Sequence, residues 1–102
     1  VHVADLADAH VVAARALEDG RSGTFNVGCG KGSSVLEVLR TVAEVTGNDP
    51  AYDVVARRAG DPAELVASVD RIRDELGWTA QRDLRDMVQS AWEAWQHEAP
   101  PL

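Results

Sequence analysis

A chain of 102 residues with 10 basic and 17 acidic side chains, a net charge of −7 and 45% apolar residues has room for one domain with a modest core. It is too short for a complete dinucleotide-binding enzyme, whose six-stranded sheet with its crossovers takes roughly 150 residues. The acidic balance sets the summed charge against nucleic acid and anionic membrane alike, so any phosphate ligand must be held by a local basic cluster.

In chain order, Val1-His2-Val3 reads as the end of a strand. Asp5 is the predicted N-cap of a helix over 6–18, where Leu6, Ala7, His10, Val11, Ala14 and Leu17 recur at helical spacing before Gly20 stops the run. Thr24 to Val27 is a short β-prone run, followed by the turn Gly28-Cys29-Gly30-Lys31-Gly32. Ser34-Val35-Leu36-Glu37 has the form of a capping box and opens a second helix, with Val35, Leu39, Val42 and Val45 on one stripe and Gly47 as the stop. Tyr52 to Ala56 and Leu65 to Ala67 predict two further short strands on either side of an irregular loop, Arg57-Arg58-Ala59-Gly60-Asp61-Pro62. Ser68 is the predicted cap of a brief helix closing at Leu76 and Gly77. A last helix starts near Asp83, and its stripe of Leu84, Met87, Val88, Ala91, Trp92 and Trp95 reads as core. Short strands alternating with helices predict a small mixed α/β region.

Cys29 is the single cysteine, which leaves neither a disulfide nor a cysteine zinc site within the chain and fits a reducing compartment. No apolar run reaches the roughly 18 residues of a membrane span, and none follows a charged start as in a signal peptide. A cytoplasmic protein is expected, with no nucleic acid and no membrane as partner. Because the chain begins at Val1 and at an apparent strand end, a piece of a longer protein is expected.

Two places can carry chemistry. A strand ending in Gly-x-Gly-x-Gly and opening a helix presents backbone N–H groups to nucleotides in dinucleotide-binding folds and in methyltransferases. Here the third fingerprint glycine is replaced by Ser33, Asn26 stands where the methyltransferase form carries an acid, and no strand-borne acid follows at the required distance. A tight turn approached closely by a neighbouring segment is therefore the expected role of these glycines. The second place is the 57–62 loop, which holds the only adjacent basic pair. Arg57 or Arg58 can grip a phosphate bidentately and Asp61 can accept from sugar hydroxyls, although two loop arginines alone also fit plain surface charge.

The chain as a whole resembles the carboxyl-terminal portion of the NAD-dependent sugar epimerases and dehydratases, the extended short-chain dehydrogenase/reductase family built on a Rossmann domain. The residues that carry the resemblance are Val1-His2-Val3-Ala4-Asp5-Leu6-Ala7-Asp8-Ala9-His10, Phe25-Asn26-Val27-Gly28 with Gly30, Gly32 and Ser34-Val35, Arg57-Arg58-Ala59-Gly60-Asp61, and Glu75-Leu76-Gly77-Trp78. Within that family the Arg-Arg-x-Gly-Asp loop is most similar to the 4-epimerases. The resemblance implies that Arg58 neutralises the diphosphate of a UDP-sugar, that Asp61 accepts from the ribose hydroxyls, that Gly60 lets the loop turn between them, and that Arg57 is a lesser member. Some relatives have a tyrosine where this chain has Leu65, so one nucleotide contact is missing. His2, Asp5, Asn26 and Trp78 match positions with structural roles: strand end, helix cap, turn and core. The resemblance further implies an amino-terminal domain that binds NAD and supplies a catalytic Tyr-x-x-x-Lys pair, and a homodimeric parent that turns its substrate over through a keto sugar. Tyr52 is the only tyrosine here and Ala56 stands four residues on, while His2, His10 and His97 are scattered, so no catalytic residue is expected in these 102 residues. The alternatives are another NAD-dependent nucleotide-sugar epimerase or dehydratase, or a non-catalytic nucleotide-sugar-binding module.

Overall fold

The structure is a computed structural model and describes residues 1–97. Its elements are α1 (Val3–Glu18), α2 (Val35–Thr46), α3 (Asp70–Leu76) and α4 (Leu84–His97), and no strand forms among the described residues.

α1 begins three residues earlier than its sequence predicts. The ring Nδ1 of His2 accepts from the Ala4 N–H at 2.9 Å and takes up one of the donors that a helix start leaves unpaired, so His2, not Asp5, is the N-cap. The 1–3 segment is accordingly a cap and a first turn, not a strand end. Asp5 lies inside that turn and points inward. The buried side of α1 also differs from the predicted stripe: Asp5 and Ala9 are buried, whereas Val11 and Leu17 are half or more exposed. Apolar residues surround most of this helix, so periodicity alone leaves its inward face undecided. Ala9 joins Ile72 of α3 and Trp78 in the core, against which Val12, Phe25, Val27, Val69, Leu76 and Ala80 pack.

The predicted α2 forms as read. Ser34 Oγ accepts from the Glu37 N–H at 3.0 Å, the Glu37 carboxylate accepts from the Ser34 N–H at 3.4 Å, and Gly47 closes the helix in the left-handed region. α3 starts at Asp70 behind Val69 with no side-chain cap, so Ser68 does not cap it. A helix this short is marginal alone, and burial of Ile72 holds it in place. Before α4, Asp83 Oδ1 accepts from the Asp86 N–H at 2.9 Å and Asp86 Oδ2 accepts from the Asp83 N–H at 3.0 Å. α4 packs on α2, with an Arg85–Glu44 ion pair of 3.0 Å between them. Of the tryptophans, Trp78 is core, Trp92 is half-buried and Trp95 is 60% exposed, against the expectation of burial for both α4 rings.

The three β-prone runs remain without ladders. Phe25 and Val27 still pack on the core, but Val54, Val55 and Leu65 are almost fully exposed, and no backbone hydrogen bond joins one run to another. A strand exists only as a pair, because its N–H and C=O groups need a neighbour; these runs have the side chains for a sheet and no partner among the described residues. The mixed α/β arrangement expected from the sequence is thus not assembled within them. Exposure is high throughout: the accessible surface is 8053 Å², against about 5,600 Å² for a compact protein of this mass. The radius of gyration is 17.1 Å, against about 13 Å for a compact domain of this length.

Candidate functional site

The 57–62 loop lies within a stretch, residues 51–68, that is exposed at every position. Its bend is a turn in which the Asp61 N–H donates to the Arg58 carbonyl at 3.3 Å, with Gly60 at φ +84, a conformation that a side chain disfavours. The turn brings Arg58 Nε to 3.1 Å from Asp61 Oδ2, and the two side chains remain 87% and 45% exposed. One of the five guanidinium donors is engaged, so the remaining donors and the second carboxylate oxygen face solvent. Arg58, Gly60 and Asp61 are therefore gathered into one unit. Arg57 adds a neighbouring positive charge but has no ion-pair partner among the described residues, and Leu65 stands exposed beyond the turn.

The glycine turn is spent on packing. A Cβ at Gly30 would lie 3.0 Å from Val69 Cγ2 and one at Gly32 would lie 2.9 Å from Val66 Cγ2, so the 66–69 segment lies directly against these glycines, beside a cleft of about 530 Å³ that Gly28 to Gly30 share with it. The α2 N-terminus behind it already bonds its own Ser34 and Glu37 groups and presents a carboxylate, which disfavours an anion.

Beneath the turn a cleft of about 360 Å³ is lined by Lys31, Arg82 and Arg85. Two of these cations are committed elsewhere. Arg85 pairs with Glu44, and Arg82 Nη1 donates to Asp5 Oδ1 at 2.6 Å with Asp8 at 3.6 Å. Asp5, only 1% exposed, also accepts from the Gln81 and Arg82 N–H groups at 3.2 and 2.9 Å. Burial alone would raise its pKa; the N–H bonds from Arg82 and Gln81 and the Arg82 guanidinium outweigh that and hold the carboxyl below the ordinary aspartate value. This anchor escapes a reading of the sequence, since nothing in the local pattern links Asp5 to positions 81 and 82. The bond from the Asp86 N–H likewise lowers the pKa of Asp83.

Candidate bases are engaged or scattered. His2 caps α1 and its Nε2 lies 2.8 Å from Ser90 Oγ, His10 Nδ1 lies 2.7 Å from the Leu6 carbonyl, and Tyr52 is exposed. No cluster of three or more metal-ligating side chains occurs among the described residues, and no described helix is long and apolar enough to cross a membrane.

No family model matches the chain. It is 47% identical over 93 residues to a UDP-glucose 4-epimerase of Corynebacterium glutamicum, covering 90% of this chain and 28% of that protein. It is 45% identical over 102 residues to a UDP-glucose 4-epimerase of Halalkalibacterium halodurans, covering 98% of this chain and 30% of that protein. Among solved structures, a UDP-glucose-4-epimerase from Stenotrophomonas maltophila with bound NAD and formylated UDP-arabinopyranose superposes with a TM-score of 0.87 and 43% identity, over 95% of this chain and 29% of that one. The chain therefore spans about 30% of the length of the curated relatives it matches, and nearly all of it is similar in sequence and fold to one part of UDP-glucose 4-epimerases.

Proposed function

We propose that residues 1–102 are the UDP-sugar-binding region of a UDP-glucose 4-epimerase, an isomerase that interconverts UDP-glucose and UDP-galactose. The observation that carries the reading is the exposed Arg58-Gly60-Asp61 turn, in a chain 45 to 47% identical to proteins of that name. Arg58 meets the diphosphate with the guanidinium donors its carboxylate partner leaves free, and Asp61 accepts from the ribose hydroxyls. On binding, the two exchange an exposed mutual contact for contacts to ligand. That exchange costs little, because exposed ion pairs contribute at most about 1 kcal/mol. Arg57 adds a longer-range attraction.

In this proposal NAD and the catalytic Tyr-x-x-x-Lys pair belong to polypeptide outside these residues, and the 102 residues alone are inactive. The same further polypeptide supplies strand partners for the β-prone runs, completing a mixed α/β region, and covers the apolar surface left open on α1. The whole enzyme is a cytoplasmic homodimer.

Titration of UDP against the full-length enzyme and its Arg58→Ala variant tests the reading, together with chromatographic assay of UDP-glucose and UDP-galactose. Weakened UDP binding in the variant is the expected result. Wild-type affinity in the variant, or no interconversion by the wild type, overturns it. The formylated UDP-arabinopyranose held by the Stenotrophomonas maltophila protein favours a second reading, a UDP-pentose as the preferred substrate. Comparing kcat/KM for UDP-galactose and UDP-arabinose decides between the two.

A further inference from the structure

We infer that Gly32 and Val66 form the anchor that positions the Arg58–Asp61 turn for nucleotide binding, so that Gly32 is a positioning residue for the substrate; the inference rests on the function proposed above.

Residues 51–68 are exposed at every position, and among the described residues no hydrogen bond or ion pair ties the Arg58–Asp61 turn to the rest of the protein. On its carboxyl side, Pro62 to Leu65 border a cleft shared with residues 32–34, and Val66, Ala67 and Val69 then lie against the glycine turn. A Cβ on Gly28 would meet Val69 and Ala67 at 3.6 and 3.7 Å, one on Gly30 would meet Val69 at 3.0 Å, and one on Gly32 would meet Val66 Cγ2 at 2.9 Å. The last distance is well inside the roughly 3.5–4.0 Å at which carbon atoms pack. Val66 is β-branched and stiff at χ1, so an added methyl group at Gly32 is relieved by moving the segment and not by swinging a side chain aside. There is room for that movement, because a cleft of about 370 Å³ separates residues 32–34 from residues 62–66.

Gly30 is a poorer probe, because its φ of +70 would add backbone strain to any effect on the contact. Gly32 has no positive φ, so a substitution there reads the contact alone. Asp61 is five residues from Val66, and a displacement at the anchor is passed along this short connection to the turn. Misplacement by about 1 Å is enough to cost an order of magnitude or more in a charge-assisted contact that depends on orientation.

The test is a double-mutant cycle in the full-length enzyme, read by UDP titration, by KM and kcat, and by thermal melting. Gly32→Ala is expected to raise the dissociation constant of UDP and the KM of the UDP-sugar about tenfold. Val66→Ala, which removes the anchor from the other side and is tolerated at a partly exposed position, is expected to weaken UDP about threefold. The double variant, in which the new methyl group fills the space the lost ones leave, is expected to bind UDP within about twofold of wild type. Gly47→Ala serves as the control: at φ +74 with no atom within 4 Å, it lowers the melting temperature and leaves UDP affinity unchanged. If Arg58→Ala weakens UDP but Gly32→Ala does not, or if the double variant is as weak as the sum of its parts, the anchor is wrong and the nucleotide reading stands. If Arg58→Ala binds UDP as wild type does, the nucleotide reading fails and the anchor with it.

Discussion

Two arginine–aspartate pairs in this chain have the same chemistry and opposite surroundings. In the Asp5–Arg82 pair the carboxylate is 1% exposed, receives two backbone N–H groups as well as the guanidinium, and joins positions 77 residues apart. In the Arg58–Asp61 pair both partners are exposed, one contact joins them, and they are three residues apart within a single turn. A carboxylate that is buried and fully bonded is part of the fold, because without its donors it is stranded away from water, whereas Arg82 keeps its outer side in solvent. An exposed pair with spare donors and acceptors contributes little to stability, and for that reason it is free to exchange its partner for a ligand.

The comparison breaks most readily at Asp5. Asp5→Ala leaves the Gln81 and Arg82 N–H groups without an acceptor, and only Asp8 and water remain for the guanidinium, so it is expected to cost more stability than any substitution in the 57–61 loop. Denaturant unfolding of the full-length protein measures it, and a midpoint equal to wild type would remove the contrast. The same residue sets a pH dependence. Its folded pKa lies below its unfolded value, so its contribution is present above about pH 3.9 and is lost as pH falls through the lower folded value. Asp5→Asn should flatten the acid limb of stability against pH, and an unchanged limb would refute the assignment.

Arg58→Ala is the converse experiment. Stability should stay within about 0.5 kcal/mol of wild type, as for a surface position, while UDP binding weakens by about 2 to 4 kcal/mol through loss of a charge-assisted phosphate contact. Calorimetric titration beside a denaturation curve separates the two. Asp61→Asn should weaken UDP by about 1 to 2 kcal/mol, since the amide keeps one acceptor oxygen and loses the charge. Arg57→Ala should have the smallest effect, below about 1 kcal/mol, because no contact commits its side chain to the turn. An Arg57 effect larger than that of Arg58 would reverse their roles.

How much of the molecule is legible in the sequence differs from residue to residue. The Ser34 and Glu37 capping box, the stops at Gly47 and Gly77 and the start of the last helix near Asp83 all follow from neighbours a few residues apart, and all are present in the structure. The loop is legible too, because an adjacent basic pair before Gly60 and Asp61 is a local feature. Asp5 has the local form of a cap and is instead a buried anchor, Ser68 makes no cap, and the apolar stripe that periodicity marks on α1 includes its exposed side. Each of these departures concerns a side chain whose partner is distant in the chain, or a helix whose apolar residues do not select one face.

The sequence by itself determined where helices begin and end to within about a turn, which turn gathers Arg58, Gly60 and Asp61, and that these residues contain no Tyr-x-x-x-Lys pair. Those properties depend on backbone donors, glycine φ angles and residue identities within about one helical turn. Only the tertiary structure decided that Asp5 binds the 81–82 segment, that Ala9 meets Ile72 and Trp78, and that Gly30 and Gly32 lie against Val69 and Val66. Burial depends on which distant surfaces meet, and a local pattern carries the propensity of a segment but not the identity of its partner.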